Sequence, residues 1–421
     1  MSMNKITGRG WRILLGGLLM VSCNKYSTAP DIAGASYLRV FNDIPYTLSL
    51  INTAQVVPFF TLIIDPEFNG AGVPTGGKVI GDYLGSRQPF NTSTSSNEGN
   101  ALGTSLDTTV KYNINYEYPG NAHVLTAPSI NGLDLSAWAQ VPSGKHRIVF
   151  IARPENYTDF SLLSDTIKKK VIIDTTIDLQ QGEVYTMESV LQDVDATKYG
   201  VYLRKEDFTH SSFDMNRNYI SFFNLSGRNS SASNLGISPS SGYFYDTMNV
   251  TYTCYSVNTG QVGTSGYVSS PLPEYNNLAL TSLKSRMPAS APYFPLPVLP
   301  LSDFFDLQGN LRTYAGSVVT QGTGGTGTIA SSVGTMPYFV FNFLSSGANI
   351  VDGSGANQQY SVICDYDPLQ VNNTPSFYLG SANANLNMVI QSGGQTELYP
   401  AVYIMELVFN TAYLMQVQQK L

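Results

Sequence analysis

The sequence is poor in charged residues and in the residue types that build most catalytic and metal sites. Only 13% of its 421 residues are charged, and it contains three histidines and three cysteines. None of the histidines stands at metal-ligand spacing from another ligand, and the chain has no G-x-S-x-G, phosphate-loop, H-E-x-x-H or EF-hand motif. These absences predict a protein that is not an enzyme and that uses no metal ion or cofactor.

The apolar run at residues 13–21 is too short to span a membrane. Its nine residues compare with roughly 20 that a transmembrane helix needs. The basic residues Lys5, Arg9 and Arg12 precede this run, and Ser22-Cys23 follow it. A basic segment, a short apolar segment and a small residue in this order are typical of a cleaved export signal.

The end of this segment resembles the bacterial lipobox, in which small residues precede a cysteine that becomes acylated. Val21 and Ser22 fit that pattern, while Met20 stands where leucine is usual. The resemblance implies a signal peptide over residues 1–22 and a Bacteroidetes-type lipoprotein with palmitate on Cys23. Residues 23–35 then form a flexible polar tether. An ordinary secretory signal with a chance cysteine is the alternative.

The remaining composition favours β structure and argues against nucleic acid as a partner. Residues 1–22 carry three basic and no acidic residues, so their removal changes the formal net charge from −7 to −10. Phosphate groups are repelled by such a chain. Tyr, Phe, Gly and other residues that are common in strands and turns are abundant. About 400 residues are enough for two domains.

Strand-like segments occur throughout the chain, and two of them recur in the same order. Residues 37–42 are echoed by residues 219–224, and residues 184–188 by residues 402–406. We therefore predict an all-β fold of two tandem, related, immunoglobulin-like or transthyretin-like antiparallel β-sandwich domains. Their predicted bounds are 36–208 and 218–421, with a junction near 209–217. Chance similarity between short strands is the alternative.

The first predicted domain resembles an exported bacterial family, the domain of unknown function 4397. The resemblance covers residues 36–206 and depends on four segments in the right order, at 37–45, 61–65, 141–148 and 179–186. It implies a small β-sandwich module of the cell envelope. The family has no assigned activity, so the resemblance leaves function open.

Two cysteines remain once Cys23 is assigned to the lipid. Cys254 and Cys364 could form a disulfide in an oxidising envelope compartment. Two separately buried thiols are the equal alternative.

The candidate binding residues are mostly aromatic. Trp138 is the only tryptophan after the predicted signal peptide, and tyrosines cluster in segments that look like loops. Tyrosine can stack on a glycan or a protein, although it more commonly occupies half-buried positions in strands. His146, at a strand entry, is interpreted as a packed or edge residue and not as a catalytic base. The remaining candidates are Tyr112, Tyr116, Tyr118, Tyr243 and Tyr245 for binding, and Asp303, Asp306, Asp365 and Asp367 as weak calcium ligands.

These features predict a non-catalytic lipoprotein of the outer membrane that acts as a binding or accessory module. Its expected partners are the membrane, through the lipid, and an outer-membrane protein complex or a glycan. A glycan-binding accessory of a polysaccharide-uptake system and a fimbrial or adhesin-like subunit are the alternatives. Asn24 and Lys25 are not acidic, unlike many surface-export signals, so the sequence does not choose between the periplasmic and the outer face.

Overall fold

The computed structural model describes about half of the chain, in many segments. The described residues are 32–44, 59–85, 123–124, 129–135, 137–156, 158–193, 198–214, 217–225, 247–263, 266–271, 273–284, 287–296, 318–319, 338–345, 359–365, 381–385, 389–392, 395–398, 401–408 and 411–418. Cys23, the predicted signal peptide and most of the predicted tether lie outside these residues.

Strands make up most of the described residues, and the all-β prediction is confirmed. In this part of the chain, helical structure is confined to α1 (Asp165–Lys168) and the 3₁₀ turns Phe160–Leu162, Asp207–Thr209 and Pro273–Tyr275. The strands are β1 (Ala35–Asn42), β2 (Phe60–Phe68), β3 (Pro74–Leu84), β4 (His123–Val124), β5 (Ser129–Ile130), β6 (Leu133–Asp134), β7 (Ala139–Pro142), β8 (Gly144–Ala152), β9 (Val171–Leu179), β10 (Val184–Asp193), β11 (Lys198–Lys205), β12 (Asn218–Asn224), β13 (Met248–Gly263), β14 (Gly266–Pro271), β15 (Leu278–Leu283), β16 (Phe294–Leu296), β17 (Val318–Val319), β18 (Tyr338–Ser345), β19 (Gln359–Asp365), β20 (Ser381–Asn385), β21 (Val389–Ser392), β22 (Gln395–Leu398), β23 (Ala401–Val408) and β24 (Thr411–Gln418).

The first half of the chain forms a two-layer sandwich. Its outer sheet has the order β3-β2-β8-β9, and its inner sheet has the order β11-β10-β1-β7-β4. Leu38 and Val40 of the inner sheet pack against Leu62 and Phe150 of the outer sheet in one buried cluster. Since successive side chains of a strand point to opposite faces, Arg39 and Phe41 of β1 must face away from the outer sheet.

The inner sheet of the first half is buried on both faces. Phe41, next to Val40 in β1, belongs to a second cluster that includes Val184 of β10 together with Val402 and Ile404 of β23. The two halves therefore share one core. Strands covered on both sides need apolar residues at successive positions, which explains why β1 is buried almost throughout.

The second half repeats the two-layer arrangement. Its inner sheet has the order β16-β12-β23-β24, and its outer sheet the order β17-β14-β13-β18-β19-β20, with β15 also paired to β13. Phe222 of β12 contacts Phe341 and Phe343 of β18, with ring centroids 5.5 and 5.9 Å apart. Phe223 faces the opposite way, into the core that the two halves share. The inner sheets of the two halves thus pack on each other at the centre of the molecule.

The echoes in the sequence correspond to one pairing pattern that occurs twice. β1 pairs in parallel with β10, and Tyr37 lies opposite Val184. β12 pairs in parallel with β23, and Tyr219 lies opposite Val402. In each half the parallel pair is followed by an antiparallel strand, β11 after β10 and β24 after β23. The equal register supports the interpretation of two related units.

The sheets differ from the expectation in one respect, because the two inner sheets and the outer sheet of the second half are mixed, while the sheet β3-β2-β8-β9 is purely antiparallel. β1 and β12, the first strands of the two halves, do not pair with the strands that follow them in sequence. Each pairs with a strand of the last hairpin of its half, β1 with β10 and β12 with β23. A parallel pair needs a long connection between its strands, and here almost the whole half provides it.

The strand register bears on the possible disulfide between Cys254 and Cys364. Cys254 of β13 and Cys364 of β19 both lie opposite Phe339 of β18, one on each side. Two interstrand spacings, about 9.6 Å in total, therefore separate their backbones. Since a disulfide needs Cα atoms about 4.4–6.8 Å apart, the register favours two separate thiols.

We expect a Cys23→Ser variant to show two free thiols after unfolding without reductant. The measurement is a thiol titration in guanidinium chloride, with a reduced sample as the control for complete reaction. A count of zero before reduction and two after it would establish the bridge and contradict the register argument.

Candidate functional site

A buried arginine joins the two halves of the molecule. The Arg204 guanidinium is inaccessible to solvent, as are the three carboxylates around it. Its Nη1 lies 3.3 Å from Glu188, and its Nη2 lies 2.9 Å from Glu206 and 2.5 Å from Glu406. Glu188 and Glu206 belong to the first half and Glu406 to the second, so one side chain bonds across the shared core. We call these four residues the ionic cluster.

The three carboxylates of the ionic cluster stabilise the charge of Arg204 in a site that water does not reach. Burial alone would lower the pKa of Arg204, but Glu206, Glu406 and Glu188 outweigh that effect and raise the pKa well above its ordinary value. Arg204 therefore stays charged. Its guanidinium also lies 4.1 Å from the centroid of the Phe223 ring, which adds a cation–π contact.

The ionic cluster continues into the first half through a hydroxyl group. Thr186 Oγ1 donates to Glu206 Oε1 at 2.5 Å and accepts from Arg39 Nε at 3.1 Å. The Arg39 guanidinium in turn lies 3.8 Å from the centroid of the Trp138 ring. A chain of polar contacts thus extends through the interior from Trp138 to the second half.

A cleft of about 540 Å³ lies at the junction of the two halves. One side is formed by the link between the halves, from Asp207 to Phe213, and the other by the segment from Ser290 to Tyr293. Tyr219, at the start of β12, completes the lining. We call this space the junction cleft.

Three aromatic rings form a continuous row along the junction cleft. The Phe213 centroid is 4.6 Å from that of Tyr219 and 5.4 Å from that of Tyr293, and the latter pair is edge to face. The rings therefore contact one another directly, in geometries that aromatic pairs prefer.

Hydrogen bonds fix both sides of the junction cleft. In the link, Ser211 O accepts from Asn131 Nδ2 at 2.8 Å, and Asp214 N donates to Tyr219 Oη at 2.9 Å. The residues just before the opposite segment are bound to both halves, because Tyr202 Oη donates to Pro288 O and Met287 N donates to Asn224 O. Within the segment, Ser221 Oγ donates to Ala291 O at 3.4 Å. Neither side can move without breaking bonds to the sheets.

The junction cleft has one charged residue in its described lining. Asp207 lines it, and no basic residue is among its described lining residues. Burial raises the pKa of Tyr293 well above its ordinary value, and the negative charge of Glu206 raises it further. The Tyr293 hydroxyl therefore stays neutral at physiological pH and remains a hydrogen-bond donor.

The outer side of the link carries a small charged group. His210 Nε2 lies 2.7 Å and Lys205 Nζ 3.5 Å from the carboxylate of Glu183. Burial alone would raise the pKa of Glu183, but the hydrogen bond from His210 and the two positive charges lower it overall. The carboxylate is therefore ionised at neutral pH and holds the link against β10.

Two predicted candidates are part of the packed interior. Trp138 is fully buried, with its ring against Phe208 at 5.7 Å, so it offers no surface for stacking. His146 is 4% exposed and contacts Asp65 Oδ2 at 2.7 Å and Pro142 O at 2.8 Å. These two contacts hold the ring inside the fold between β8 and β2.

The other candidates are not assembled into a site by the described residues. Tyr112, Tyr116, Tyr118, Tyr243, Tyr245, Asp303, Asp306 and Asp367 lie outside them, while Asp365 is placed only as a residue of β19. Within the described ranges, no three His, Cys, Asp or Glu residues come close enough to hold a metal ion. No helix there is long and apolar enough to cross a membrane.

The sequence patterns predict neither the ionic cluster nor the junction cleft. One signal was available, because Glu188 and Glu406 occupy the same place in the two echoed segments, each a charge within an apolar strand. A charge at such a position is a candidate for a buried pair. Arg204 and the lining of the cleft carry no comparable signal, since the tertiary fold brings them together.

Comparison with known proteins gives no match for this chain. No protein-family model matches the chain, and no curated protein matches it. The resemblance of residues 36–206 to the domain of unknown function 4397 therefore stays a prediction. Function must be argued from the site.

We expect an Arg204→Met variant to lose about 3–5 kcal/mol of unfolding free energy, because three buried carboxylates would lose their shared cation. Equilibrium denaturation in urea measures the loss. Arg147 is the matched control, since it pairs with Asp174 at 2.7 Å with its side chain half exposed. Arg147→Met should change the free energy by less than about 1 kcal/mol. Equal small effects for both variants would show that the ionic cluster does not hold the halves together.

Proposed function

We propose that this protein is a non-catalytic lipoprotein of the outer membrane that presents the junction cleft as a binding site. The observation that carries the proposal is the cleft itself, which lies between the two halves and is fixed from both sides. Binding sites are commonly built from loops that a rigid scaffold positions. A bacterial envelope protein anchored through Cys23 fits the lipobox-like sequence.

The residue types in the junction cleft favour binding over catalysis. Its described lining consists of three aromatic rings, three serines, an alanine, a proline and the carboxylate of Asp207. These groups supply apolar contact area and hydrogen bonds. General acid–base catalysis typically uses a second titratable group with a shifted pKa beside the first. Among the lining residues, only the tyrosines accompany Asp207, and Tyr293 stays protonated.

The proposed anchor would keep the folded body close to the membrane. Eleven residues separate Cys23 from Ala35, where β1 begins. At full extension they reach about 40 Å. A partner of the junction cleft would therefore be another envelope component or a molecule that crosses the envelope.

We also propose that residues 36–208 and 218–421 are two related domains. The support is the parallel pairing of the first strand with the last hairpin in each half, in the same register. The link that forms one side of the junction cleft lies at the proposed boundary. The binding site would thus have arisen where two copies of one unit met.

The alternative of a fimbrial subunit that donates its last strand has less support. β24 pairs with β23 over eight residue pairs. Its Leu414, Met415 and Val417 are buried, and two of them lie in the core that the two halves share. Releasing this strand for donation would open that core. Filaments seen by electron microscopy would nevertheless favour the alternative.

We expect the native protein to incorporate an alkyne-labelled palmitate and to sediment with the outer membrane. A Cys23→Ser variant should lose both the label and the sedimentation, because the acyl chains are its only proposed anchor. Cys254→Ser is the matched control and should keep both. Label retained by Cys23→Ser would refute the anchor, and turnover in a broad hydrolase screen would refute the non-catalytic part of the proposal.

A further inference from the structure

We infer that the ionic cluster binds one proton when the two halves dock, so that their docking depends on pH. The balance of buried charges, one carboxylate oxygen and the position of the cluster between the halves support this inference. Neither the proposed anchor nor a ligand in the junction cleft is needed for it.

The ionic cluster contains more negative than positive charge. Three carboxylates surround the single guanidinium of Arg204, and all four side chains are inaccessible to solvent. A second cation, Arg39, reaches the cluster through the hydroxyl group of Thr186. With both guanidinium groups counted, two positive charges face three negative ones. Because the site is inaccessible to water, the remaining negative charge is costly to bury, and uptake of one proton removes it.

The titratable groups next to the ionic cluster do not restore the balance. Burial is the largest cause that raises the pKa of Tyr202 and of Tyr293 above the ordinary value, so both hydroxyls stay neutral at physiological pH. Asp207, the neighbour of Glu206 in the link, adds a further carboxylate. The charges that act on the two tyrosines are positive at Arg204 and Arg39 and negative at Glu188, Glu206, Glu406 and Asp207.

The other strands that pack around the ionic cluster bring no basic side chain from the described residues listed here. Their titratable residues include Tyr37 and Asp43 of β1, Tyr199 of β11, Tyr219 of β12 and Tyr413 of β24. Lys205 and His210 are bound to Glu183 on the outer side of the link. None of these groups offsets the charge of the buried carboxylates.

One carboxylate oxygen of the ionic cluster lacks a hydrogen-bond donor. Glu206 Oε1 accepts from Thr186 and from Arg204, whereas the buried Glu206 Oε2 has no hydrogen-bond partner among the described residues. A buried charged oxygen without a donor is unfavourable, and a proton on the cluster reduces the charge that this oxygen carries. Since the three carboxyl groups are coupled through Arg204, the proton belongs to the cluster as a whole.

The position of the ionic cluster couples the proton to the docking of the halves. Glu406 belongs to the second half, and docking brings its carboxylate to Arg204 of the first. In the unfolded chain the glutamates are in water and lose their protons near a pH of about 4.3. Above that pH the folded protein therefore carries one proton more than the unfolded chain, and its stability falls as the pH rises. The fall ends at the pH where the cluster itself releases the proton.

The test replaces one carboxyl group of the ionic cluster at a time by an amide. The full chain is purified from membranes in detergent, and its folding equilibrium constant is measured in urea between about pH 7 and pH 9 through the emission of Trp138. An amide has the shape of a protonated carboxyl group and no charge, so it imitates the bound proton. The three variants are Glu188→Gln, Glu206→Gln and Glu406→Gln. Glu67→Gln is the matched control, because Glu67 is an exposed glutamate of β2.

We expect the folding constant of a cluster variant, divided by that of the native chain, to rise about tenfold per pH unit over this range. The reason is that the native chain releases one proton more than the variant when it unfolds. The ratio for Glu67→Gln should not change with pH. Contributions of His146 and His210 cancel in the ratio, because every variant retains both histidines. The infrared spectrum of the native chain near neutral pH should also contain a carboxylic acid band, which the cluster variants lose.

A ratio that does not rise with pH in any folded cluster variant would overturn the inference, because it would show that all three carboxyl groups are ionised in the native protein. An ordered water molecule that donates to Glu206 Oε2 would give this result. Should none of the three variants fold, the infrared spectrum of the native chain decides. A carboxylic acid band near neutral pH then supports the bound proton, and a spectrum without that band refutes it.

Discussion

The contact between Arg204 and Glu406 is the interaction on which the rest of this molecule depends, because it joins two sandwiches through charges that water cannot reach. A guanidinium in such a place is stable only when enough carboxylates surround it. Here Glu188 and Glu206 come from its own half and Glu406 comes from the other. Since buried charges must be paired in defined directions, they restrict how one half can sit on the other far more than apolar contacts would. The junction cleft lies beside this fixed point, and its Tyr293 responds to the same charges.

The parallel pairs β1/β10 and β12/β23 explain why the shared core exists. Each pair places the first strand of a half beside its last hairpin, so the inner sheets are complete only when the whole half has folded. The strands of these pairs are covered on both faces, by their own outer sheet and by the other half. Contacts between residues so distant in sequence are costly in chain entropy. The extensive apolar burial of the inner sheets offsets that cost.

A rigid junction is a suitable place for a binding site in a protein that is otherwise built of sheets. Sheet faces are used for packing, and here both faces of each inner sheet are buried. Exposed side chains come from the outer faces of the outer sheets and from the segments that leave the sheets. The link from Asp207 to Phe213 and the segment from Ser290 to Tyr293 are two such segments, and the docking of the halves brings them face to face. The site therefore belongs to the pair of halves and to neither half alone.

The sequence by itself determined the strand content and the echo between the halves, because these depend on local composition and on alternation along a strand. It also contained Glu188 and Glu406 at equivalent places, although nothing in a linear sequence names Arg204 as their partner. Only the tertiary structure decided that Trp138 is interior, that Cys254 and Cys364 lie on strands separated by β18, and that Phe213, Tyr219 and Tyr293 form one row. The physical reason is that hydrophobic alternation specifies which face of a strand is buried. Which other part of the protein covers that face is decided by contacts between residues up to about 200 positions apart, as between Arg204 and Glu406.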